Sequence, residues 1–498
     1  MSPFEDDRGK GMDDALKIGI LHYTCPPVVG GVEEIVNQHA SILHRLNQQV
    51  TVLAGKGGTG NEPYEVKIEP LFGSKHQSVL KAHEQVRRGD HLGIEKLTSR
   101  ILERLTKLCG GLDILMVHNV LQMPFNLPLT LAIRRLAESD DGVKVVSWAH
   151  DSPYFQPNPP DFLNSDPWTV LRMPHPLIHY VTISESRKEL FLQQGERGDW
   201  TVINNGIDPM AFFYLDPRSV KLASELRLFD RDLVMVQPSR ITPRKNLELS
   251  IHIVRGIKAL GYNVLFVMTG AYDPHETRAT SYYRRLRYWI QELDLKDHIA
   301  ILAEYRFKDK SRLVPDRIFI RDLYLMADLL LMTSKDEGFG LPLLEAGMIK
   351  LPIACTAIPP FLEVGRDVCF FGKDDPPLFI AGRIVEYLSR SNTHRMYRHV
   401  MKNYVMERVC RDRLLPYLRT LLDIRKKRRN GPIPSGKSSK TTLWMGINPL
   451  FSRAFVARWW RGRWIQGARW KMDEGILSVR QSHFSSATQE PWGSPPPQ

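Results

Sequence analysis

Two successive series of short apolar runs, each run followed by a stretch long enough for a helix, constrain this 498-residue chain more than any other feature. A short apolar run bounded by polar residues and lacking in-out alternation reads as a strand covered on both faces. When such strands alternate with helices, neighbouring strands are joined by helical crossovers, and the product is a parallel α/β sheet with helices on both faces. The first series has strands at Lys17 to His22, Val50 to Ala54, Asp113 to His118, Lys144 to Trp148, Ile178 to Ile183 and Thr201 to Ile203. A basic amphipathic helix is expected within Gln77 to Leu108. The second series begins at Leu233 to Val236 and continues with Val264 to Thr269, Ile299 to Leu302, Asp328 to Thr333, Pro352 to Cys355 and Val368 to Phe371. The boundary falls near Asp208 to Asp230, which gives one α/β domain over 17–215 and a second over 216–390, with closing helices over 391–423. Residues 1–16 read as a flexible N-terminus and 424–498 as a tail. A cleft between two such domains is where two ligands would meet.

The chemistry concentrates after two strands of the second series. Glu337 to Glu345 reads E-G-F-G-L-P-L-L-E, two carboxylates separated by a glycine-rich turn and the start of a helix. Gly338 and Gly340 let the backbone turn and approach a ligand, and Pro342 falls in the first helical turn, where a missing N–H costs little. The free N–H groups of that helix would face an anion at the C-terminal edge of the sheet. Two acceptor-only side chains beside an anion hole suit a ligand carrying both hydroxyls and phosphate. The plain alternative is a helix with an acidic first turn capped by Ser334 or Asp336. A second segment, L-V-M-V-Q-P-S-R-I-T-P-R-K-N from Leu233 to Asn246, weighs against it. There a strand is followed by Arg240, Arg244 and Lys245 and then by a helix that Asn246 would cap, and cations at a strand end beside a helix N-terminus are what a diphosphate needs.

S-R-I-T-P-R-K-N followed some ninety residues later by E-G-F-G-L-P-L-L-E-A-G resembles the retaining, nucleotide-sugar-dependent glycosyltransferases of family 4, whose fold is GT-B. P-P-V-V-G-G-V-E-E (Pro26 to Glu34), W-A-H-D (Trp148 to Asp151), T-I-S-E-S (Thr182 to Ser186) and I-N-N-G-I-D (Ile203 to Asp208) extend the resemblance over most of 17–423. It implies two Rossmann-like domains facing across a cleft, the first for the acceptor and the second for the nucleotide sugar, with the last helices crossing back onto the first. It also implies roles. Arg240 and Lys245 would neutralise the leaving diphosphate, Glu345 would bind the ribose and Glu337 a sugar hydroxyl, while the backbone of Phe339, Gly340 and Leu341 would line the sugar and phosphate. Gly30 and Gly31 would let the backbone approach the donor or acceptor. His150 would lie over the sugar near the anomeric carbon, and His118 and Asp151 are further cleft candidates. No metal or other cofactor is implied, since fixed cations do the electrostatic work. Two segments depart from the family pattern: a long basic stretch from Glu304 to Arg321, and Ile358-Pro359-Pro360 where a glycine-containing turn is usual. They leave the base and the hexose open.

Other motifs carry less. Gly55, Gly57 and Gly60 fit G-x-G-x-x-G, but Asn61, Glu62 and Pro63 follow where a helix is required. G-P-I-P-S-G-K-S from Gly431 to Ser438 fits a phosphate-binding loop literally, yet it follows R-K-K-R-R-N instead of a buried strand. Asp230 and Asp232 precede a strand, at the wrong end for a ligand.

With 43% hydrophobic and 25% charged residues, the composition is that of large globular domains. No apolar run long enough to span a membrane and no leader-like start are evident, and five scattered cysteines without a C-x-x-C pair point to a reducing cytoplasm and no zinc site. Charge is unevenly spread. Residues 424–498 hold 14 Lys and Arg against 3 Asp and Glu, leaving 54 against 52 in the preceding chain. The tail contains R-K-K-R-R (Arg425 to Arg429) and a Trp/Arg-rich stretch from Phe455 to Trp470, and its composition is that of a largely disordered segment. Indoles and cations in that stretch suit peripheral contact with an anionic membrane surface. The leading expectation is transfer of a hexose from a nucleoside diphosphate sugar to a hydroxyl acceptor. A sugar-nucleotide epimerase or hydrolase of the same fold, and a protein binding nucleic acid through its tail, are the alternatives. The near-neutral body argues against specific nucleic-acid binding.

Overall fold

The computed structural model describes residues 15–58, 60–139, 143–195, 198–270 and 279–430. Within them the chain builds two parallel sheets. The first comprises β1 (Lys17–His22), β2 (Gln49–Ala54), β3 (Glu65–Ile68), β4 (Ile114–His118), β5 (Lys144–Ala149), β6 (Ile178–Thr182) and β7 (Trp200–Val202), in the spatial order β3-β2-β1-β4-β5-β6-β7. The second comprises β8 (Leu233–Gln237), β9 (Val264–Met268), β10 (Ile299–Ile301), β11 (Leu329–Met332), β12 (Ile353–Thr356) and β13 (Cys369–Phe371), ordered β10-β9-β8-β11-β12-β13. Strand order reverses direction between β1 and β4 and again between β8 and β11, and ligands of open α/β sheets bind outside the carboxyl ends of the strands at such switch points.

Each sheet is covered on both faces. Ile18 and Ile20 of β1 share a core with Val36 and Leu43 of the helix Gly31–Arg45, while Leu21 lies in the core on the opposite face. The second sheet likewise has one core containing Val234, Val236 and Phe319 and another containing Met235, Ile251 and Phe266. Inner strands therefore read as continuous apolar runs. β3 does not: E-V-K-I lies at the sheet edge with none of its residues fully buried, and the periodicity that reveals the other strands misses it.

The chain end returns to the first domain in two stages. Helix Asn392–Asn403 stays on the second domain, where Arg398 bonds the carbonyl of Arg231 at 2.6 Å and reaches the buried Asp328 carboxylate at 3.5 Å. Only from Tyr404 does the chain cross over. Met406 N donates to Ile207 O at 2.9 Å, and Met406, Cys410, Leu414 and Leu418 join the core that holds Ile18, Ile20 and Trp148. The expected crossing therefore starts later than residue 391, and the final helix, Leu415–Asn430, runs past Asp423. Two Rossmann-like domains closed by a returning C-terminal helix make the GT-B fold.

Two local expectations are corrected, and a third is met. The helix within Gln77 to Leu108 is two helices, Gln77–Arg87 and Leu92–Cys109, with Gly89 in the left-handed region (φ +84°) between them. Asn246 precedes helix Leu247–Ala259 but its side chain caps nothing; it adopts φ +51°, a conformation asparagine tolerates, after a tight turn at Pro243–Lys245. Asp230 and Asp232 are structural: Asp230 pairs with Arg227, Arg408 and Arg411, and Asp232 accepts from Asn263 N at 2.9 Å. The Gly431 to Ser438 motif and the Trp/Arg-rich stretch lie outside the described residues.

Candidate active site

The second domain presents its site at the carboxyl ends of β8 and β11. A buried polar knot holds the two loops together. Ser250 Oγ donates to Gln237 Oε1 at 2.7 Å and lies 2.7 Å from Thr333 Oγ1, which in turn sits 3.0 and 3.1 Å from the carbonyls of Lys245 and Asn246. Lys335 N donates to Arg244 O at 2.8 Å, so the loop after β11 is stitched to the loop after β8. Gln237, Ser250 and Thr333 have no accessible surface and escaped the sequence reading, because only the tertiary pairing of β8 with β11 brings them together.

This scaffold brings Lys245 and Glu337 into an ion pair, with side chains 12% and 10% exposed. Ser334 Oγ donates to Glu337 Oε1 at 2.8 Å, and Arg244 stands 3.9 Å from the same carboxylate. Arg240 is exposed, and with Ser239, Thr242, Arg244 and Lys245 it lines a concavity of about 470 Å³. Gly340 adopts φ +103° and opens helix Leu341–Met348; a Cβ there would meet the Phe361 ring at 3.1 Å. Its conformation and its tight packing both call for glycine. Gly338 has neither constraint, since a Cβ would meet nothing. Phe339 and Leu341 are exposed beside it.

Glu345 is not a buried acceptor. It is exposed, and its Oε2 accepts from Tyr324 Oη at 2.8 Å. Burial, then this carboxylate, push the Tyr324 hydroxyl pKa well above its ordinary value. Tyr324, on the helix preceding β11, went unnoticed because nothing local marks it. The basic stretch after β10 is largely exposed but tied to helix Pro217–Leu226: Tyr305 Oη and Lys308 N each donate to Glu225 at 3.0 Å, and Lys221 pairs with Asp309.

In the first domain, Gly30 precedes helix Gly31–Arg45 in an extended conformation. A Cβ on Gly30 would stand 2.1 Å from Glu33 Oε2, so the space it leaves is taken by that carboxylate. A Cβ on Gly31 would meet nothing, which leaves the backbone there open at a helix N-terminus. Glu33 accepts from Thr24 Oγ1 and lies 3.8 Å from His22 Nε2. Glu33, Thr24 and His22 are additions to the site; the pair of glycines followed by an acidic first turn is the signal that marks them.

His22 Nδ1 donates to His118 O at 2.7 Å, and His118 Nδ1 lies 3.3 Å from His150 Nε2. His118 has no accessible surface, so it is not a cleft-lining residue; it sits beneath His150 and stacks on Trp148 with ring centres 5.7 Å apart. His39, also inaccessible, packs against both His118 and Trp148. Burial, and then the other histidines, hold these rings neutral: His150 is lowered to about 4, first by burial and then by His22, and His39 to about 3, first by burial and then by His150. Asn119 Oδ1 accepts from the backbone N of both His150 and Asp151, fixing the turn after β5. Asp151 itself is turned to Arg187 at 3.2 Å.

In this GT-B fold a cationic concavity, a paired carboxylate and a helix N-terminus stand at one switch point, and a cluster of histidines stands at the other. Residues 221–369 match the family described as "Glycosyl transferases group 1". The chain is 24% identical over 375 residues to a mannosylglucosylglycerate synthase of Petrotoga mobilis, covering 69% of this chain and 83% of that protein. It is 36% identical over 78 residues to the serotype-specific mannosyltransferase WbdA of Escherichia coli, spanning 15% of this chain and 10% of that one. Among solved structures, Anabaena HepE in complex with UDP and glucose aligns over 83% of this chain and all of its own, with 15% identity and a TM-score of 0.30.

Proposed function

We propose that this protein is a retaining hexosyltransferase that moves a sugar from a nucleoside diphosphate donor to a hydroxyl acceptor. The observation that carries the reading is the Lys245–Glu337 pair beside Arg240 at the carboxyl ends of β8 and β11. Breaking the bond between the anomeric carbon and the diphosphate builds positive charge on the sugar and negative charge on the leaving group, and fixed cations aimed at the phosphate favour that separation. In this reading Arg240 and Lys245 face the diphosphate, Glu337 binds a sugar hydroxyl, and Glu345 accepts from the ribose while Tyr324 holds it. His150 lies over the sugar from the first domain. The acceptor oxygen attacks the anomeric carbon from the face the diphosphate leaves, the leaving oxygen takes the bond's electron pair, and the acceptor proton passes to it. No metal enters this account.

Mannose is the first hexose to test, because the Petrotoga relative is named for a mannosyl-containing product and the Escherichia relative is named a mannosyltransferase. A panel of UDP-, GDP- and ADP-hexoses incubated with candidate acceptors, with products read by mass spectrometry, tests the whole reading. A new glycoside is expected from one donor. Free sugar or an epimer without any glycoside, across all acceptors, would replace transfer by hydrolysis or epimerisation.

A further inference from the structure

We infer that His118 is a positioning residue that fixes the ring and the tautomer of His150, so that His150 presents an N–H donor, its Nδ1, to the bound sugar. The inference rests on the proposed reading of His150 as a residue of the sugar site.

His150 Nε2 is engaged from below by His118 Nδ1 at 3.3 Å, and its other ring nitrogen bonds no protein atom of the described residues. A neutral imidazole has one N–H and one lone pair, so the proton between the two rings decides what His150 offers on its free side. Two arrangements are possible. If His118 donates, His150 carries its proton on Nδ1; if His150 donates, Nδ1 is an acceptor. The surroundings of His118 choose between them. Its Nε2 is buried with no hydrogen-bond partner, and the groups packed on that ring already carry unpartnered donors: Trp148, stacked at 22°, with a buried indole N–H, and His39, one of whose two unpartnered ring nitrogens bears a proton, so a proton on His118 Nε2 would add one more. An orphaned buried N–H is rarer than an orphaned acceptor. The unpartnered Nε2 is therefore the lone pair, and the proton sits on Nδ1, pointing at His150. His22 anchors the backbone of His118 through its own Nδ1–H and the His118 carbonyl, and Asn119 Oδ1 fixes the backbone of His150, so the chain positions that carry the two rings are held in place. A donor suits a sugar oxygen or a phosphate oxygen.

The test compares full-length wild type with His118→Phe, which keeps an aromatic ring against Trp148 but removes Nδ1, and His118→Asn, whose side-chain amide can still donate. With the donor identified by the panel above, kcat of His118→Phe is expected to fall by on the order of a hundredfold, as displacement of a group at the reacting centre does. Donor KM and thermal midpoint should stay close to wild type, and His118→Asn should recover part of the loss. In a His150→Ala background, His118→Phe should cost nothing further. In ¹⁵N-histidine-labelled wild type, the His150 ring should show a protonated Nδ1 and an unprotonated Nε2. Wild-type kcat in His118→Phe, an undiminished penalty in the His150→Ala background, or a protonated His150 Nε2 overturns the inference. If His150→Ala by itself leaves kcat unchanged, the site reading fails and this inference with it, an outcome distinct from the other three. Should His118→Phe not fold, the Asn variant and the labelling experiment still decide.

Discussion

Lys245 and Glu337, 92 residues apart in sequence, close on one another as an ion pair that is largely shielded from water at the mouth of the second sheet. The pairing fixes Lys245 where the diphosphate is proposed to lie, and Ser334 Oγ donates to the same Glu337 oxygen, Oε1, at 2.8 Å. Lys245→Ala should lower turnover on the order of a hundredfold, because it removes a fixed cation that acts on charge growing in the transition state. Arg240→Ala should do the same. A rise in KM with kcat unchanged would assign both residues to ground-state binding. Glu337→Gln keeps the shape and most hydrogen bonds but removes the charge that holds Lys245, and should cost less than either.

Glu345→Ala should weaken binding of the nucleoside diphosphate by about 1 to 3 kcal/mol, the cost of leaving ribose hydroxyls without their acceptor. Tyr324→Phe removes only the hydroxyl that steadies Glu345 and should cost a fraction of that. Titration calorimetry with the nucleoside diphosphate checks both. Equal affinity in wild type and Glu345→Ala removes Glu345 from the nucleotide site.

Both sheets were legible because their inner strands are covered on two faces and so read as unbroken apolar runs; β3, half-exposed at an edge, carries no such run. The loops bearing Arg240 to Asn246 and Glu337 to Glu345 announced themselves through local patterns of cations, glycines and carboxylates. What joins them did not: the Gln237, Ser250 and Thr333 knot and the Lys245–Glu337 pair depend on β8 lying beside β11, a relation no local pattern encodes. His39 illustrates the same limit. It sits in an amphipathic helix like any polar residue, and only the fold reveals that it is sealed against His118 and Trp148. Gly30 was read as room for a ligand, whereas the adjoining space is taken by Glu33.

Activity should persist in excess EDTA, since in the proposed mechanism the developing phosphate charge is met by Arg240, Lys245 and backbone N–H groups. Complete loss on chelation, restored by magnesium or manganese, would contradict the assignment of that work to side chains. The assay should be run at saturating donor, so that any metal effect on free nucleotide sugar is separated from an effect on turnover.

The buried histidines make stability fall in acid. His39 and His150 have folded pKa values of about 3 and about 4, held down chiefly by burial, against 6.5 when unfolded. Above pH 6.5 both states are neutral and the full stability is present. As pH falls below 6.5 the unfolded chain takes up protons that the native chain refuses, and stability is lost at up to about 1.4 kcal/mol per pH unit for each such group. The loss from each ends only when pH passes its folded value, so the window runs from about 6.5 down to about 4 for His150 and to about 3 for His39. Carboxylates also destabilise the protein in this range, but they contribute equally to a variant that lacks one histidine. His39→Phe, which keeps an aromatic ring against Trp148 and His118, should therefore show a shallower decline of unfolding free energy between pH 6.5 and 4.5 than wild type, whatever its absolute stability. Urea unfolding across that range measures the slope directly. Parallel slopes in the two proteins would mean that His39 takes up its proton in the folded state, and that the cluster around His118 is not sealed.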